Sequence, residues 1–318
     1  MRCAIGTKIS MKNNKSNTDE RVLLLGAGGM LGAAVYEAAA KKFPNLLATD
    51  IDVNEPWLIH QDFRDLTSLE KLFDDFQPTL VFHLGAHTDL EYCETHPEDS
   101  WATNALGPEN SVILAEQRAA TLVYISTAGI FGGEQEVYTD FDAPLPTSHY
   151  AKSKYYGELF VENRMSKYYI FRAGWMMGGG LKKDKKFINK IYKQIKNGAR
   201  ELFVVADKLG TPTYTVDFAN GMLKVIDTGY YGLYNQVCGG GGSRLDVAKE
   251  FVRLLGLEHE VKVTEVDSNH WKQEYFAPRP YSEKLINLKL DLRKMNHMRD
   301  WKVCLAEYAQ VFKADLGA

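Results

Sequence analysis

The stretch RVLLLGAGGMLG, residues 21–32, joins a short apolar run to closely spaced glycines. Residues 22–25 predict a buried strand, a G-x-x-G-x-x-G pattern begins at Gly26, and residues 33–41 predict a helix. Glycines let the backbone turn tightly and approach a pyrophosphate, which the N–H groups and dipole of the helix N-terminus attract. An ordinary strand–helix turn is the alternative. The residues predicted to contact a dinucleotide here are Gly26, Gly29, Met30 and Leu31.

An acidic residue follows the glycine pattern at the distance that a Rossmann unit requires. Residues 45–51 predict a second strand, and Asp50 within it lies 24 residues after Gly26. An acid at this place accepts hydrogen bonds from the adenosine ribose hydroxyls and repels a 2′-phosphate. Asp50 therefore predicts a preference for NAD over NADP. A solvated turn acid is the alternative reading, and Asp52 is a competing candidate.

A further apolar run, residues 79–86, is typical of a parallel strand that is buried on both faces. Its small final residues would let a cofactor pass close to the backbone. Asn104, near the start of a predicted helix over 104–117, would face the cofactor or cap the helix. The residues predicted to border the cofactor in this part of the chain are Asp62, Phe63, Gly85, Ala86, His87 and Asn104.

The predicted strand at 121–127 ends in the hydroxyl residues Ser126 and Thr127, where open α/β sheets bind their ligands. Tyr150 and Lys154 follow, and their spacing places them on one face of a helix. Reduction of a carbonyl needs a proton for the developing alkoxide, and a tyrosine can donate it. A nearby ammonium would lower the tyrosine pKa, and Thr127 would orient the substrate oxygen. A surface pair without a role is the alternative.

The bulk composition narrows the class of protein. The chain has 318 residues, 45% of them apolar, and a net charge of −3, which predicts no general attraction to nucleic acid or anionic membranes. No apolar run is long enough to span a bilayer. Residues 1–20 are polar, which predicts a disordered tail rather than a secretory signal. The four cysteines form no C-x-x-C pair, so we expect free thiols, no metal site and a cytoplasmic protein.

The chain resembles the extended short-chain dehydrogenase/reductase family, and within it the dTDP-4-dehydrorhamnose reductases. The resemblance runs from about residue 21 to the C-terminus. The glycine motif and Y-x-x-x-K are typical of the whole superfamily, whereas the G-T-P-T-Y and A-x-R-P-x-S segments are more particular to the rhamnose branch. The matching stretches are GAGGMLG (26–32), QDFRD (61–65), GAHTDLEYCE (85–94), YISTAGIFGG (124–133), YAKSKYYGE (150–158), FRAGW (171–175), LGTPTYTVDFA (209–219), GLYNQVCGG (232–240) and APRPYSEKL (277–285).

The resemblance implies an α/β fold with a Rossmann-type, doubly wound parallel sheet and a smaller C-terminal α/β substrate lobe. We expect residues 21–175 to form the NAD(P)-binding domain, with a late strand near 232–237 that returns to it. Residues 176–318 would form most of the substrate lobe. The implied cofactor is NADH or NADPH and the implied partner is a nucleotide sugar. A homodimer is one assembly that the sequence permits.

The resemblance also implies roles for individual residues. Thr127, Tyr150 and Lys154 match the family's catalytic set, and Lys154 would also bind the nicotinamide ribose. Ala86, Asn104 and the region 173–174 would line the cofactor. On the substrate side, Trp175 matches a tryptophan that packs on the sugar, and Arg279 falls in the segment that helps to hold the nucleotide diphosphate.

Two departures from the family pattern fall on the substrate side. Family members usually read S-T-D-Y-V-F, whereas this chain has Ala128 and Gly129 after Thr127. Together with Thr127, Ala128 is predicted to border the substrate. The family's asparagine-rich segment is replaced by KKDKK at 182–186. It lies in a predicted basic helix over 181–196, which is either a solvated face or a source of lysines for substrate phosphates.

Two other functions are compatible with this pattern. One is a nucleotide-sugar epimerase or dehydratase of the same family. Dehydratases usually need an Asp–Glu pair beside the catalytic Ser or Thr, and Ala128 and Gly129 supply no acid there. The other is a regulatory subunit that keeps the fold, as one relative does for a methionine adenosyltransferase. The intact catalytic set argues against this reading.

Overall fold

The structure, a computed structural model, describes residues 19–317. The predicted disordered tail therefore lies outside the described residues, except for its last two positions. The strands are β1 (Arg21–Leu25), β2 (Asn45–Asp50), β3 (Leu58–His60), β4 (Leu80–His83), β5 (Thr121–Thr127), β6 (Val137–Tyr138), β7 (Tyr168–Ala173), β8 (Trp175–Met177), β9 (Glu201–Val205), β10 (Leu209–Gly210), β11 (Pro212–Tyr214), β12 (Gly232–Asn235), β13 (Gly242–Ser243), β14 (Lys262–Val266) and β15 (Ser282–Leu285).

Helices alternate with these strands through most of the chain. A π-helical turn (Ala102–Leu106) precedes the fifth helix, and short 3₁₀ turns occur at Ala128–Ile130 and Ser268–Trp271. The helices are α1 (Met30–Ala40), α2 (Leu66–Phe76), α3 (Leu90–Thr95), α4 (Pro97–Trp101), α5 (Gly107–Gln117), α6 (His149–Arg164), α7 (Gly180–Lys183), α8 (Phe187–Lys196), α9 (Thr215–Asp227), α10 (Arg244–Leu255), α11 (Leu288–Leu292) and α12 (Trp301–Leu316).

The central sheet has seven parallel strands in the order β12-β7-β5-β4-β1-β2-β3. The chain runs outward from β1 through β2 to β3, and then returns to the other side of β1 with β4. This reversal creates a crevice beyond the carboxyl ends of β1 and β4, where doubly wound sheets bind their ligands. The predicted Rossmann-type α/β fold is confirmed.

The side chains of β1 explain why the sheet is covered on both faces. Val22 and Leu24 point to one face, where they join a buried cluster with α1 and α9. Leu23 and Leu25 point to the other, where they join a cluster with α2 and α5. Because successive strand residues alternate between faces, an all-apolar strand needs helices on both sides.

The C-terminal half builds a third core from α8, α10 and α12 against the parallel pair β9 and β14. Strand β12, by contrast, pairs with β7 in the central sheet. The domain boundary at residue 175 stays a prediction. No helix among residues 19–317 combines the length and apolar character needed to cross a membrane.

Two predicted helices have different bounds in the structure. The helix expected over 181–196 is interrupted between α7 and α8, because Asp184 turns into the protein. Its carboxylate accepts hydrogen bonds from the Lys186 N–H at 2.7 Å and the Tyr308 hydroxyl at 2.9 Å. The helix expected over 104–117 becomes regular only at Gly107, after the π-helical turn.

Candidate active site

The three predicted catalytic side chains meet at the carboxyl edge of the sheet. Thr127 is the last residue of β5, and its hydroxyl accepts a hydrogen bond from the Gly129 N–H at 3.1 Å. Ser148 caps α6 and thereby begins the helix that carries Tyr150 and Lys154. The Thr127 and Tyr150 side chains are neighbours, since a Cβ at Gly129 would lie 3.5 Å from the Thr127 hydroxyl oxygen and 3.7 Å from the Tyr150 ring. The Lys154 ammonium lies 4.1 Å from the centre of the Tyr124 ring.

Burial controls the protonation of this site. It raises the pKa of Tyr150 to about 12, and the neighbouring Thr127 hydroxyl acts in the opposite direction. Burial also lowers the pKa of Lys154 to about 7, against the attraction of Glu158. The predicted lowering of the Tyr150 pKa by Lys154 is therefore absent from this structure, because desolvation disfavours both the phenolate and the ammonium.

The glycine turn fits a dinucleotide. Gly26 has a φ of +77°, and a Cβ there would lie 2.3 Å from the Gly85 Cα. The backbones of Gly26 and Gly85 can therefore approach this closely only because Gly26 carries no side chain. At Gly29 a Cβ would meet no atom within 4 Å. No side chain caps α1 at Gly29, which leaves the first N–H groups of the helix, at Met30 and Leu31, open toward this space.

Asp50 lies directly against the glycine turn. Its carboxylate accepts hydrogen bonds from the Gly28 N–H at 2.8 Å and from the Asp52 N–H at 2.9 Å. A Cβ at Gly28 would come within 2.9 Å of the Asp50 carboxyl carbon, so this additional glycine permits the approach. Asp50 therefore lies against the glycine turn, and its binding of the ribose stays a prediction.

The KKDKK segment divides between two regions instead of forming one phosphate-binding face. Lys183 donates to the Gly28 carbonyl at 2.9 Å and to the Asn54 side chain at 2.8 Å, and Lys182 pairs with Glu55 at 3.0 Å. Both lysines thus contact the glycine turn or the loop that follows β2. Lys186 donates to the Thr88 hydroxyl at 2.8 Å, beyond the end of β4.

The residues after β4 are held in place by Asn104. Its amide oxygen accepts the His87 N–H at 2.8 Å, and its amide nitrogen donates to the His87 carbonyl at 2.9 Å. Asn104 is fully buried and caps no helix, so it shapes the cofactor crevice through this loop. The His87 ring pairs with Asp99, 2.8 Å away, so the ring and both backbone polar groups of His87 have partners within the protein, and Ala86 before it is half-buried.

Phe63 and Asp62 contact other residues of the protein, and their predicted place beside the adenine stays a prediction. The Phe63 ring is buried, and a Cβ at Gly85 would come within 2.3 Å of it. The ring therefore packs directly against the Gly85 backbone. Asp62 pairs with Arg64 at 2.8 Å, which lowers the pKa of its carboxyl. The Phe63 ring is thus packed inside the protein, whereas the Asp62 carboxylate stays partly exposed.

The substrate side centres on Trp175, whose indole N–H donates to Glu283 at 2.8 Å. The Gly210 backbone lies against the ring, and the Arg244 guanidinium covers it at 3.7 Å from the centroid. Arg244 forms no hydrogen bond or ion pair with another residue of the described part of the chain. Burial lowers its pKa to about 10. The contact between Trp175 and the sugar stays a prediction.

Two predicted substrate residues are engaged elsewhere. Arg279 forms a bidentate pair with Glu91, at 2.7 and 2.9 Å, so its charge is already neutralised. Ala128 is 1% exposed and belongs to an apolar cluster with Ile130 and Phe131, so its predicted contact with the substrate stays a prediction. Sequence reasoning missed Arg244 and Glu283, because a lone charged residue beside a glycine-rich or proline-containing loop carries no distinctive spacing.

Comparison with known proteins agrees with this geometry. The family model described as the RmlD substrate binding domain matches residues 20–314. The dTDP-4-dehydrorhamnose reductase of Mycolicibacterium smegmatis is 28% identical over 291 residues, which are 91% of this chain and 84% of that protein.

Solved structures of dTDP-4-dehydrorhamnose reductases are also similar to this chain. A dTDP-4-dehydrorhamnose reductase from Clostridium acetobutylicum has a TM-score of 0.82 at 35% identity, covering 92% of this chain and 99% of that one. The dTDP-4-dehydrorhamnose reductase of Bacillus anthracis, in complex with NADP, has a TM-score of 0.82 at 28% identity, covering 91% and 98%. The chain therefore belongs to the RmlD substrate binding domain family, within the extended short-chain dehydrogenases/reductases.

Proposed function

We propose that this chain is an NAD(P)H-dependent reductase of a nucleotide-linked 4-keto-6-deoxy sugar, and specifically a dTDP-4-dehydrorhamnose reductase that forms dTDP-L-rhamnose. The observation that carries the proposal is the meeting of the Thr127 and Tyr150 hydroxyls beside an open, uncapped glycine turn. The relatives named above, over most of both chains, support the choice of substrate.

The catalytic roles follow from the protonation of the site. When bound, NADH or NADPH supplies the hydride for C4 of the sugar. Tyr150, with a pKa of about 12, is a protonated donor at neutral pH and transfers its proton to the developing alkoxide. Thr127 donates to the same oxygen and orients the carbonyl. Lys154 lacks a hydrogen-bond partner among the described residues, so the ribose hydroxyls would satisfy it and favour its charged form.

We propose NADH as the preferred cofactor. The proposal is supported by the Asp50 carboxylate, which the Gly28 and Asp52 N–H groups fix beside the glycine turn and which would repel a 2′-phosphate on a bound ribose. Lys182 and Lys183 lie nearby, but both pair with Glu55, which limits their attraction for that phosphate. Initial rates with NADH and NADPH at equal concentrations test this preference.

We propose Arg244 as the main cation for the substrate diphosphate, with Arg279 in a supporting role. Arg244 has no anionic partner within 4 Å among the described residues, whereas Arg279 is paired with Glu91. A half-buried guanidinium without a partner gains most from a phosphate, because charge-assisted hydrogen bonds are the strongest of their kind.

The cellular setting and the assembly are further proposals. The three cysteines in the described part of the chain, Cys93, Cys238 and Cys304, are free thiols, as predicted, and they fit a reducing cytoplasm. Size-exclusion chromatography with light scattering tests the proposed homodimer. A single species at the mass of one chain would exclude it.

The decisive assay follows NADH oxidation at 340 nm with purified protein and dTDP-4-keto-L-rhamnose. We expect stoichiometric conversion of cofactor and sugar, with dTDP-L-rhamnose as the product by mass spectrometry. An epimerase or dehydratase would convert the sugar without net cofactor oxidation, because those enzymes recycle the hydride. Binding of cofactor with no turnover of any keto-sugar nucleotide would refute the reductase and favour the regulatory subunit.

A further inference from the structure

The backbone leaves room for a Cβ beside the catalytic hydroxyls at Gly129, where the family usually carries a tyrosine. A Cβ at Gly129 would lie 3.5 Å from the Thr127 hydroxyl oxygen and 3.7 Å from Cε1 of Tyr150. The third neighbour of this point is a carboxylate oxygen of Glu283, also at 3.7 Å. Glu283 therefore faces the same small volume as the two groups that would hold the substrate carbonyl.

Glu283 is held rigidly in this place. It belongs to β15, where it is paired with Gly210 of β10. Its Oε2 accepts the indole N–H of Trp175 at 2.8 Å, and the Trp175 ring is itself fixed between the Gly210 backbone and Arg244. Its Oε1, the oxygen nearer to Gly129, accepts no hydrogen bond from another residue of the described ranges. One carboxylate oxygen is thus fixed and the other is available to a ligand.

The charge of Glu283 determines what it can bind. A carboxylate accepts hydrogen bonds and repels a developing alkoxide, so it cannot share the carbonyl oxygen held by Thr127 and Tyr150. A sugar hydroxyl next to the carbonyl can donate to it. In a 4-keto-6-deoxy sugar, C5 carries the methyl group, and the neighbouring hydroxyl is on C3.

We propose that Glu283 is a specificity-determining residue that accepts a hydrogen bond from the hydroxyl adjacent to the substrate carbonyl. The inference rests on the proposed reductase function and deepens it. The carboxylate from β15 takes the place of the polar side chains that the family supplies at Ala128 and Gly129. A substrate without that hydroxyl leaves the carboxylate partly desolvated and unpaired, and is therefore rejected.

The test compares Glu283→Gln with wild type on dTDP-4-keto-L-rhamnose and on its 3-deoxy analogue. Glutamine keeps an acceptor for Trp175 but removes the charge. We expect kcat/KM on the full substrate to fall about 10- to 100-fold, the range of a hydrogen bond to a charged group. On the analogue, the two proteins should differ less than threefold. Glu136→Gln is the matched control, because this exposed carboxylate has Lys284 as its one ion-pair partner among residues 19–317.

An equal loss on both substrates would show a merely structural role, and no loss on either would also overturn the proposal. Gly129→Ala is a second variant, since its methyl group has ordinary van der Waals contacts at 3.5–3.7 Å and would enter the space before Glu283. We expect it to melt like wild type and to lose affinity for the full substrate.

Calorimetric binding of dTDP-L-rhamnose and its 3-deoxy analogue separates this inference from the proposed function. Should wild type turn over neither keto sugar, the reductase proposal fails. The calorimetric comparison of wild type with Glu283→Gln then still decides the role of Glu283. Loss of affinity confined to the hydroxylated sugar supports it, and equal affinities refute it.

Discussion

Replacing Lys154 by methionine should change how the stability of the cofactor-free protein depends on pH. Lys154 is 3% exposed, and burial lowers its pKa from the ordinary 10.5 to about 7. Between these two values the unfolded chain binds a proton that the native protein has released. The free energy of unfolding of wild type should therefore rise with pH in this window, and the methionine variant should lack this contribution.

The magnitude follows from the two pKa values. Each pH unit between the two pKa values contributes about 1.4 kcal/mol. About two such units lie between pH 6 and pH 9, so Lys154 raises the free energy of unfolding by about 2.5 kcal/mol over this range. The nearby titratable groups do not add a similar pH dependence to the free energy of unfolding. His83 stays neutral throughout, since burial lowers its pKa to about 3, and Glu158 is paired with Arg172 in both proteins.

Urea unfolding at pH 6, 7.5 and 9 measures this difference for both proteins. Wild type should gain about 2.5 kcal/mol relative to Lys154→Met from the lowest to the highest pH. The variant should be the more stable protein at pH 6, where wild type must bury a charge without a partner. Parallel pH profiles, differing by less than about 0.5 kcal/mol, would show that Lys154 is not desolvated as the structure indicates.

Three further substitutions test other parts of the structure. Glu158→Gln leaves Arg172 buried without its partner and should destabilise the protein by about 3–5 kcal/mol, measured by urea unfolding; a loss below 1 kcal/mol would contradict this. Gly26→Ala forces a methyl group to within 2.3 Å of neighbouring backbone at positive φ, so NADH binding by fluorescence should weaken at least about 100-fold. Arg244→Gln should raise KM for the sugar nucleotide about 10-fold or more with little effect on NADH binding, and an unchanged KM would refute its phosphate role.

The sequence predicted the central sheet well because its signals are local. Strand β1 is a continuous apolar run, and only glycine tolerates the turn at Gly26 and the close approach at Gly28. The apolar strand β5 and the four-residue spacing of Tyr150 and Lys154 were also sufficient to place those groups at one edge. Such patterns depend on a strand or helix and its immediate neighbours, so they can be recognised without tertiary contacts.

The substrate side could not be predicted in the same way, because its groups come from distant segments. Glu283 reaches the site through the pairing of β15 with β10 and β6, and Arg244 through its stacking on Trp175 and Phe187. Arg279 was predicted to bind phosphate, but its bidentate pair with Glu91 depends on a contact across 188 positions of the chain. The periodicity of apolar residues in the sequence carries no information about such long-range contacts.

The central claim, that Tyr150 donates the proton in a carbonyl reduction, is tested most directly by Tyr150→Phe. Single-turnover NADH oxidation with dTDP-4-keto-L-rhamnose should slow by about 100-fold or more, the usual contribution of a positioned general acid. The dissociation constant for NADH, measured by fluorescence, should stay within about twofold of wild type, since only the hydroxyl is removed. A variant that keeps more than a tenth of the wild-type rate would contradict the account.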